Sequence, residues 1–309
     1  MPIISVVIPI LNEADNIRPL QERLNLTFSG MGSEYEIIFV DDGSTDGSLP
    51  AIRQLAARDP HIKYISFTRN FGHQIAIHAG IEHSIGKLIV IMDGDLQNPP
   101  EIIPMMVNKI HENYDVVNAR RKKRKNEPIL KKLSAGLFYR LLNSISTINI
   151  PVDTGEFRII TSTVAEQLLK MKDPNKFIRG EVSWTGFRQL TIEYDGEVRH
   201  TGNTNFTYRK MINLAVDGIT GFSNFPLKFA TLSGISISFL AFLWILYVLA
   251  QKLIFHQTVS GWASIMVAIL FLGGIQLLSI GIIGEYISRI NEQTRQRPLY
   301  IVRESNAKS

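Results

Sequence analysis

The sequence predicts an α/β fold, a doubly wound parallel sheet, followed by a two-helix transmembrane hairpin. Three observations predict it. Short β-branched or apolar runs alternate with helical patterns over roughly the first 120 residues, as in folds built from repeated βα units. A polar or acidic cluster follows each run. From Leu227 to Gly284 the only acidic, basic or imidazole side chains are Lys228, Lys252 and His256. The 309 residues, 45% hydrophobic and 20% charged with a net charge of +5, suffice for one large or two smaller domains. The chain has no cysteine, which excludes a disulfide framework, a thiolate nucleophile and a cysteine-ligated metal. The apolar C-terminal third excludes a simple soluble enzyme.

Five runs read as buried parallel strands: Ile3–Pro9, Tyr35–Asp41, Ile62–Phe67, Leu88–Asp93 and Asp115–Ala119. Helical patterns lie between them near Glu13–Leu26, Thr45–Ala57, Gly72–Ser84 and Pro100–Glu112. Ligands of doubly wound sheets bind at the carboxyl ends of the strands. The polar clusters fall there: Asn12-Glu13, Asp41-Asp42-Gly43-Ser44, Arg69-Asn70, Asp93-Gly94-Asp95 and Arg120-Arg121. No GxGxxG follows the first strand and no GxxxxGK[ST] occurs, which removes the common dinucleotide and P-loop readings. Two carboxylates one residue apart at a strand end, Asp93 and Asp95, suit a hard divalent cation, Mg²⁺ or Mn²⁺, that neutralises a diphosphate leaving group.

Phe229–Phe255 and Trp262–Gly284 are each long and apolar enough to cross a bilayer, which takes roughly 20 residues. The hairpin occupies residues 227–288, with spans near 229–255 and 262–284, and a tail at 289–309. Arg209, Lys210 and Lys228 precede it and Arg289, Arg295, Arg297, Arg303 and Lys308 follow it, so the large N-terminal domain and both termini are expected on the cytoplasmic side. Gly273, Gly274, Gly281 and Gly284 permit close helix packing, within the hairpin or in a homo-oligomer. An amphipathic juxtamembrane helix is expected within 206–226, and a second lipid-facing stripe at Ile129–Ile145, beside the basic run Arg120–Lys125.

The ordered motifs Ser5-Val-Val-Ile-Pro9 with Asn12-Glu13, Val40-Asp-Asp-Gly-Ser-Thr-Asp46, Arg69-Asn-Phe-Gly72 and Met92-Asp-Gly-Asp-Leu-Gln-Asn-Pro-Pro100 resemble those of family 2 glycosyltransferases. Together with the hairpin and Gly284-Glu285-Tyr286, they resemble more narrowly the polyprenyl-phosphate glycosyltransferases, bacterial relatives of dolichol-phosphate mannose synthase. That resemblance implies a GT-A (Rossmann-like) nucleotide-sugar-binding domain over residues 1–205. It implies inverting, metal-dependent transfer of a single sugar from a UDP-sugar to undecaprenyl or another polyprenyl phosphate. The setting would be the cytoplasmic face of the inner membrane, in cell-envelope glycan modification. Glucose is the expected sugar, with GlcNAc and galactose as alternatives, and no nucleic acid is an expected partner.

The resemblance also implies residue roles. Pro9, Asn12, Glu13, Asp41, Asp42 and Asn70 would line the nucleotide site, Arg199 would close over the donor, and Asp93, Asp95 and Gln97 would hold the metal. Arg120, Arg121, Lys131 and Lys132 would meet the acceptor phosphate. Asp153, Glu156 and Arg158 would border the acceptor, with Asp153 or Glu156 the candidate general base or else a group that orients Arg158. The chain departs from the common pattern at Glu156, where aspartate is frequent, and at His73 and Asn205, where lysine is. Three other readings compete: a processive polysaccharide synthase, which usually carries a Gln-x-x-Arg-Trp segment absent here, a catalytically silent nucleotide-sugar sensor, and a membrane-surface scaffold.

Overall fold

The computed structural model of the chain describes residues 3–122, 155–195, 225–253 and 261–307. The expected order of elements stands: β1 (Ile4–Ile10), α1 (Ala14–Met31), β2 (Tyr35–Asp41), α2 (Ser48–Ala56), β3 (Ile62–Phe67), α3 (His73–Glu82), β4 (Leu88–Ile91), α4 (Ile103–His111) and β5 (Val116–Arg121). Then come β6 (Arg158–Thr161), α5 (Ser162–Lys170), α6 (Ile178–Trp184), β7 (Gln189–Tyr194), the long helices α7 (Phe225–Leu253) and α8 (Trp262–Thr294), and β8 (Val302–Ser305). All seven residues of β1 are buried, as befits a central strand covered on both faces. Because side chains alternate across a strand, Val6 and Ile8 pack with Ile17, Leu20 and Ile52 of α1 and α2, while Val7 packs with Ile77 and Ile81 of α3 and Val164 of α5.

The sheet has eight strands in the order β7-β5-β6-β4-β1-β2-β3-β8. The five strands read from the sequence run parallel, as expected, and the sheet becomes mixed through added strands: β6 runs antiparallel to β4 and β5, and β8 antiparallel to β3. The reversal of β6 matters for function. Arg158, its first residue, stands opposite Ile91 and Asn118, so β6 starts where β4 and β5 end. Residues just before β6 therefore arrive at the same rim as the strand-end clusters. β5 also runs two residues further than expected, so Arg120 and Arg121 lie within the strand, paired with Glu193 and Tyr194 of β7, rather than beyond it.

The chain forms two units, one holding the sheet together with residues 297–309 and the other holding α7 and α8. The last segment, expected as a tail, instead completes the sheet. Asn306 Oδ1 accepts the Tyr64 amide at 2.6 Å, and Arg53 meets Glu304 through two hydrogen bonds of 2.6 and 2.5 Å. The Tyr300 ring stacks on Phe67 at 4.9 Å, and its hydroxyl donates to Glu82 at 2.6 Å. In the second unit α7 has 29 residues and α8 has 33, about 44 and 50 Å of helix. Each contains a stretch long and apolar enough to cross a membrane. Phe239, Leu240 and Leu277 are 60%, 64% and 72% exposed, and apolar surface of this extent is a membrane or partner surface rather than one left against water. α8 continues ten residues beyond Gly284, through Glu285 and Arg289, which pair one turn apart at 3.4 Å. The stretches expected to lie on lipid, 129–145 and 206–226, fall outside the described residues.

Candidate active site

At the ends of β1, β2 and β3 the polar residues are occupied with one another. Asn12, at φ +57, takes the left-handed conformation that asparagine tolerates. Its amide donates to Ser44 Oγ at 3.0 Å and its Oδ1 accepts the Thr45 amide at 2.8 Å, clasping the two loops. Glu13 accepts from Asn16 Nδ2. Asp41 takes the Ser66 hydroxyl on one oxygen at 2.8 Å and the Ser44 amide on the other at 3.0 Å. Asp42 accepts the Phe71 amide at 2.7 Å and the Gly72 amide at 3.0 Å. Burial pushes its carboxyl above the ordinary range, and those two amides offset this only in part. Asp41, Asp42 and Pro9 are buried, so in this conformation they shape the rim, whereas Asn70 is exposed on it. The β2 turn is glycine at 43 for two reasons: φ is +73, and a Cβ there would stand 2.5 Å from the Arg69 carbonyl carbon.

The other half of the rim is arranged differently. Asp93 and Asp95 follow β4 and keep part of their surface open, the Asp93 side chain being 34% exposed. Gly94 between them lies over β1, where a Cβ would meet Ile10 Cδ1 at 2.5 Å. Asp93 is flanked by His73 Nε2 at 3.4 Å and by Asn98 Nδ2 at 3.5 Å. Burial disfavours the His73 imidazolium, but Asp93, joined by Glu156 and Asp42, more than compensates, so His73 titrates above its ordinary value. Gln97 Nε2 donates to Asp95 at 2.7 Å while its Oε1 accepts from Arg121 Nη1 at 2.8 Å. In this conformation Gln97 bridges an acid and an arginine instead of turning a free oxygen outward. Arg120 pairs with Glu193 at 2.5 Å on an exposed surface.

Glu156 and Arg158 sit deeper than expected. Arg158 is 1% exposed and donates to the Gly155 carbonyl at 3.0 Å and to Glu156 Oε2 at 3.2 Å. Arg179 of α6 takes the other oxygen, Oε1, at 3.2 Å. Burial by itself would raise the Glu156 carboxyl; Arg158 and then Arg179 bring it below its ordinary value instead. A carboxylate so held is a poor proton acceptor, and the contacts to both arginines fit the alternative in which Glu156 orients Arg158. Asp153, Lys131, Lys132 and Arg199 lie outside the described residues.

Two residues near the site carried no signal in the sequence. Arg179 is an isolated arginine in a short helix. Tyr194, at the end of β7, has its phenol pushed up to about 12 by burial, with Arg121 opposing and Asp93 and Asp95 adding to the shift. Its approach depends on the β5–β7 pairing, which no local pattern announces.

Asp93 and Asp95 fit a hard divalent cation. Both offer oxygen, and among the described residues no cluster of three or more His, Asp or Glu forms a closed cage. Mg²⁺ or Mn²⁺ bound by one or two carboxylates, with the rest of its shell from water and substrate phosphates, matches such a donor set.

The sequence family described as glycosyl transferase family 2 matches residues 5–169, and the GtrB C-terminal hairpin matches residues 225–290. An uncharacterized glycosyltransferase of Bacillus subtilis, YkcC, is 46% identical over 301 residues, covering 97% of this chain and 93% of that protein. The bactoprenol glucosyl transferase of Shigella phage SfII is 38% identical over 303 residues and 98% of each chain. Among solved structures, mannosyl-3-phosphoglycerate synthase from Rubrobacter xylanophilus shares the fold of the sheet domain at 13% identity. Its TM-score is 0.50, covering 71% of this chain and 72% of that one.

Proposed function

The chain belongs to glycosyl transferase family 2, and from that premise we propose that it moves one sugar, glucose, from a UDP-sugar to polyprenyl phosphate at the cytoplasmic face of the membrane. The observation that carries this reading is the pairing, in one chain, of an acid-and-arginine rim with two bilayer-length apolar helices. One substrate would come from water and the other from lipid. The name of the phage relative, bactoprenol glucosyl transferase, supports both the lipid and the sugar.

A divalent cation held by Asp93 and Asp95 would offset the charge of the diphosphate and improve it as a leaving group. His73 and Asn98 hold Asp93, and Gln97 holds Asp95 and Arg121, so the acids meet the donor already oriented. An acceptor phosphate oxygen then forms its bond to the anomeric carbon as the bond from that carbon to the nucleoside diphosphate breaks, with inversion. The acceptor is already an oxyanion near neutral pH, so positioning and charge complementarity do the work that a base does for a hydroxyl acceptor. The locked state of Glu156 agrees with this. Of the two described residues expected to meet phosphate, Arg121 is the one held beside the acids through Gln97, and a guanidinium suits that contact because its planar fork binds two oxygens at once.

The pairing of β8 with β3 supports a two-crossing hairpin, since residues 302–305 belong to the same domain that precedes α7. The basic flanks support a cytoplasmic placement of that domain. The test is to incubate the purified full chain in vesicles with undecaprenyl phosphate and labelled UDP-glucose, UDP-GlcNAc or UDP-galactose, with Mg²⁺ or Mn²⁺, and to identify the lipid by mass spectrometry. A monoglucosyl lipid phosphate with release of UDP is expected. A lipid-free polymer would favour a processive synthase, and no product from any donor would overturn the reading.

A further inference from the structure

Beside Asp93, three separate elements meet in one polar knot. His73, the first residue of α3, faces Asp93 Oδ1 at 3.4 Å. Its neighbour Gln74 accepts the Ile178 amide at 2.9 Å, tying α3 to the start of α6 next to Arg179, and lies close enough to Glu156 to help hold that carboxyl low. Glu156 is gripped on its two oxygens by Arg158 and Arg179, each at 3.2 Å. The two arginines are not alike. Arg158 also holds the carbonyls of Gly155 and Glu156 at 3.0 and 3.3 Å. The Arg179 side chain is 14% exposed, and its Nε is buried without a hydrogen-bond partner. A buried donor left without a partner is costly, and the contact with Glu156 is the hydrogen bond that this guanidinium makes.

We propose that Arg179 is a positioning residue for the metal–diphosphate site: anchored on Glu156, it fixes the start of α6, whose Ile178 amide holds Gln74 and so the first turn of α3, and with it the His73 side chain that orients the Asp93 carboxylate. The chain of contacts runs from Glu156 to Arg179, through the adjacent Ile178 amide to Gln74, to the adjacent His73 and on to Asp93, with no substrate atom in it. Groups behind a metal-binding carboxylate govern affinity because the cation tolerates little displacement of its ligands. The inference rests on the functional reading above, in which Asp93 holds the cation.

The test uses the full chain in detergent. Mn²⁺ binding is followed by electron paramagnetic resonance with and without UDP, with thermal unfolding recorded in parallel. Arg179→Gln should weaken Mn²⁺ binding in the presence of UDP by about tenfold. Arg179→Lys, which keeps the charge and reaches one oxygen, should recover to within about threefold of the parent. Gln74→Met leaves the Arg179–Glu156 pair in place but cuts its link to α3, and it should weaken Mn²⁺ binding in the same direction. An Arg179–Glu156 pair that served stability alone would leave Gln74→Met at parental affinity, and that result overturns the proposal. So does parental Mn²⁺ affinity in a folded Arg179→Gln protein. If the unsubstituted chain binds no Mn²⁺ with UDP, the functional reading itself fails, an outcome separate from the other two.

Discussion

The two halves of the rim carry the same residue types and use them in opposite ways. Beyond β1, β2 and β3, Asp41 and Asp42 are 1% and 2% exposed and their oxygens accept protein amides and hydroxyls. Beyond β4 and before β6, Asp93 and Asp95 keep open surface, and the buried acid, Glu156, lies one layer behind them between arginines. An acid-rich strand end is therefore open as a site where its carboxylates keep exposed surface even while protein donors orient them, as His73, Asn98 and Gln97 orient Asp93 and Asp95. Where burial closes them off, the same side chains tie the loops together.

The sharpest way to break this comparison is on the open half. Asp95→Asn should lower the rate of sugar transfer by about a thousandfold, near 4 kcal/mol, with the melting temperature unchanged. Transfer at the parental rate would move the metal site elsewhere.

Glu156→Gln should cost stability as well as activity, because it leaves Arg158 buried without its counter-charge, a loss of about 3 kcal/mol in urea unfolding. The pH dependence has a definite sign. The folded-state pKa of Glu156 lies below its ordinary 4.5, so its contribution is present above that value and lost as pH falls through the folded pKa. The Gln variant should therefore lose less stability than the parent on acidification.

On the closed half the expected effects are smaller and structural. Gly43→Ala would place a side chain at φ +73 against the Arg69–Asn70 backbone, costing about 2 kcal/mol and loosening the loop proposed to receive the nucleotide. Calorimetry should register it as a lower melting temperature, with the KM for donor rising more than kcat falls.

Asp42→Asn is the mildest. Its amide nitrogen would face the Phe71 and Gly72 donors, a loss of about 1 kcal/mol. Burial raises the Asp42 pKa, so the linkage runs opposite to that of Glu156. The stabilisation is full below the ordinary pKa, disappears as pH rises through the folded one, and should be absent from the Asn variant. A thousandfold loss of transfer in Asp42→Asn would instead make this half a direct participant and dissolve the comparison.

The first five strands and four helices were legible because each is long, strongly apolar and punctuated by turn residues. The hairpin was legible because bilayer thickness sets a length that composition alone reveals. The strands that escaped are short or polar: β6 is four residues headed by an arginine, β7 mixes exposed and buried positions, and β8 reads Val-Arg-Glu-Ser. Strands of that kind are made by their partners, and pairing partners are distant in sequence. The site divides the same way. Asp93 and Asp95 stand in a local motif, so sequence alone located them at the end of β4. That Asp42 is closed off while Asp93 keeps exposed surface, and that Glu156 is paired with Arg158 and Arg179, depended on which groups the fold brings together. Local spacing determines a strand, a turn or a span through steric and hydrophobic periodicity. Whether a charged group is engaged or free is decided by neighbours far along the chain, and only the assembled sheet supplies those.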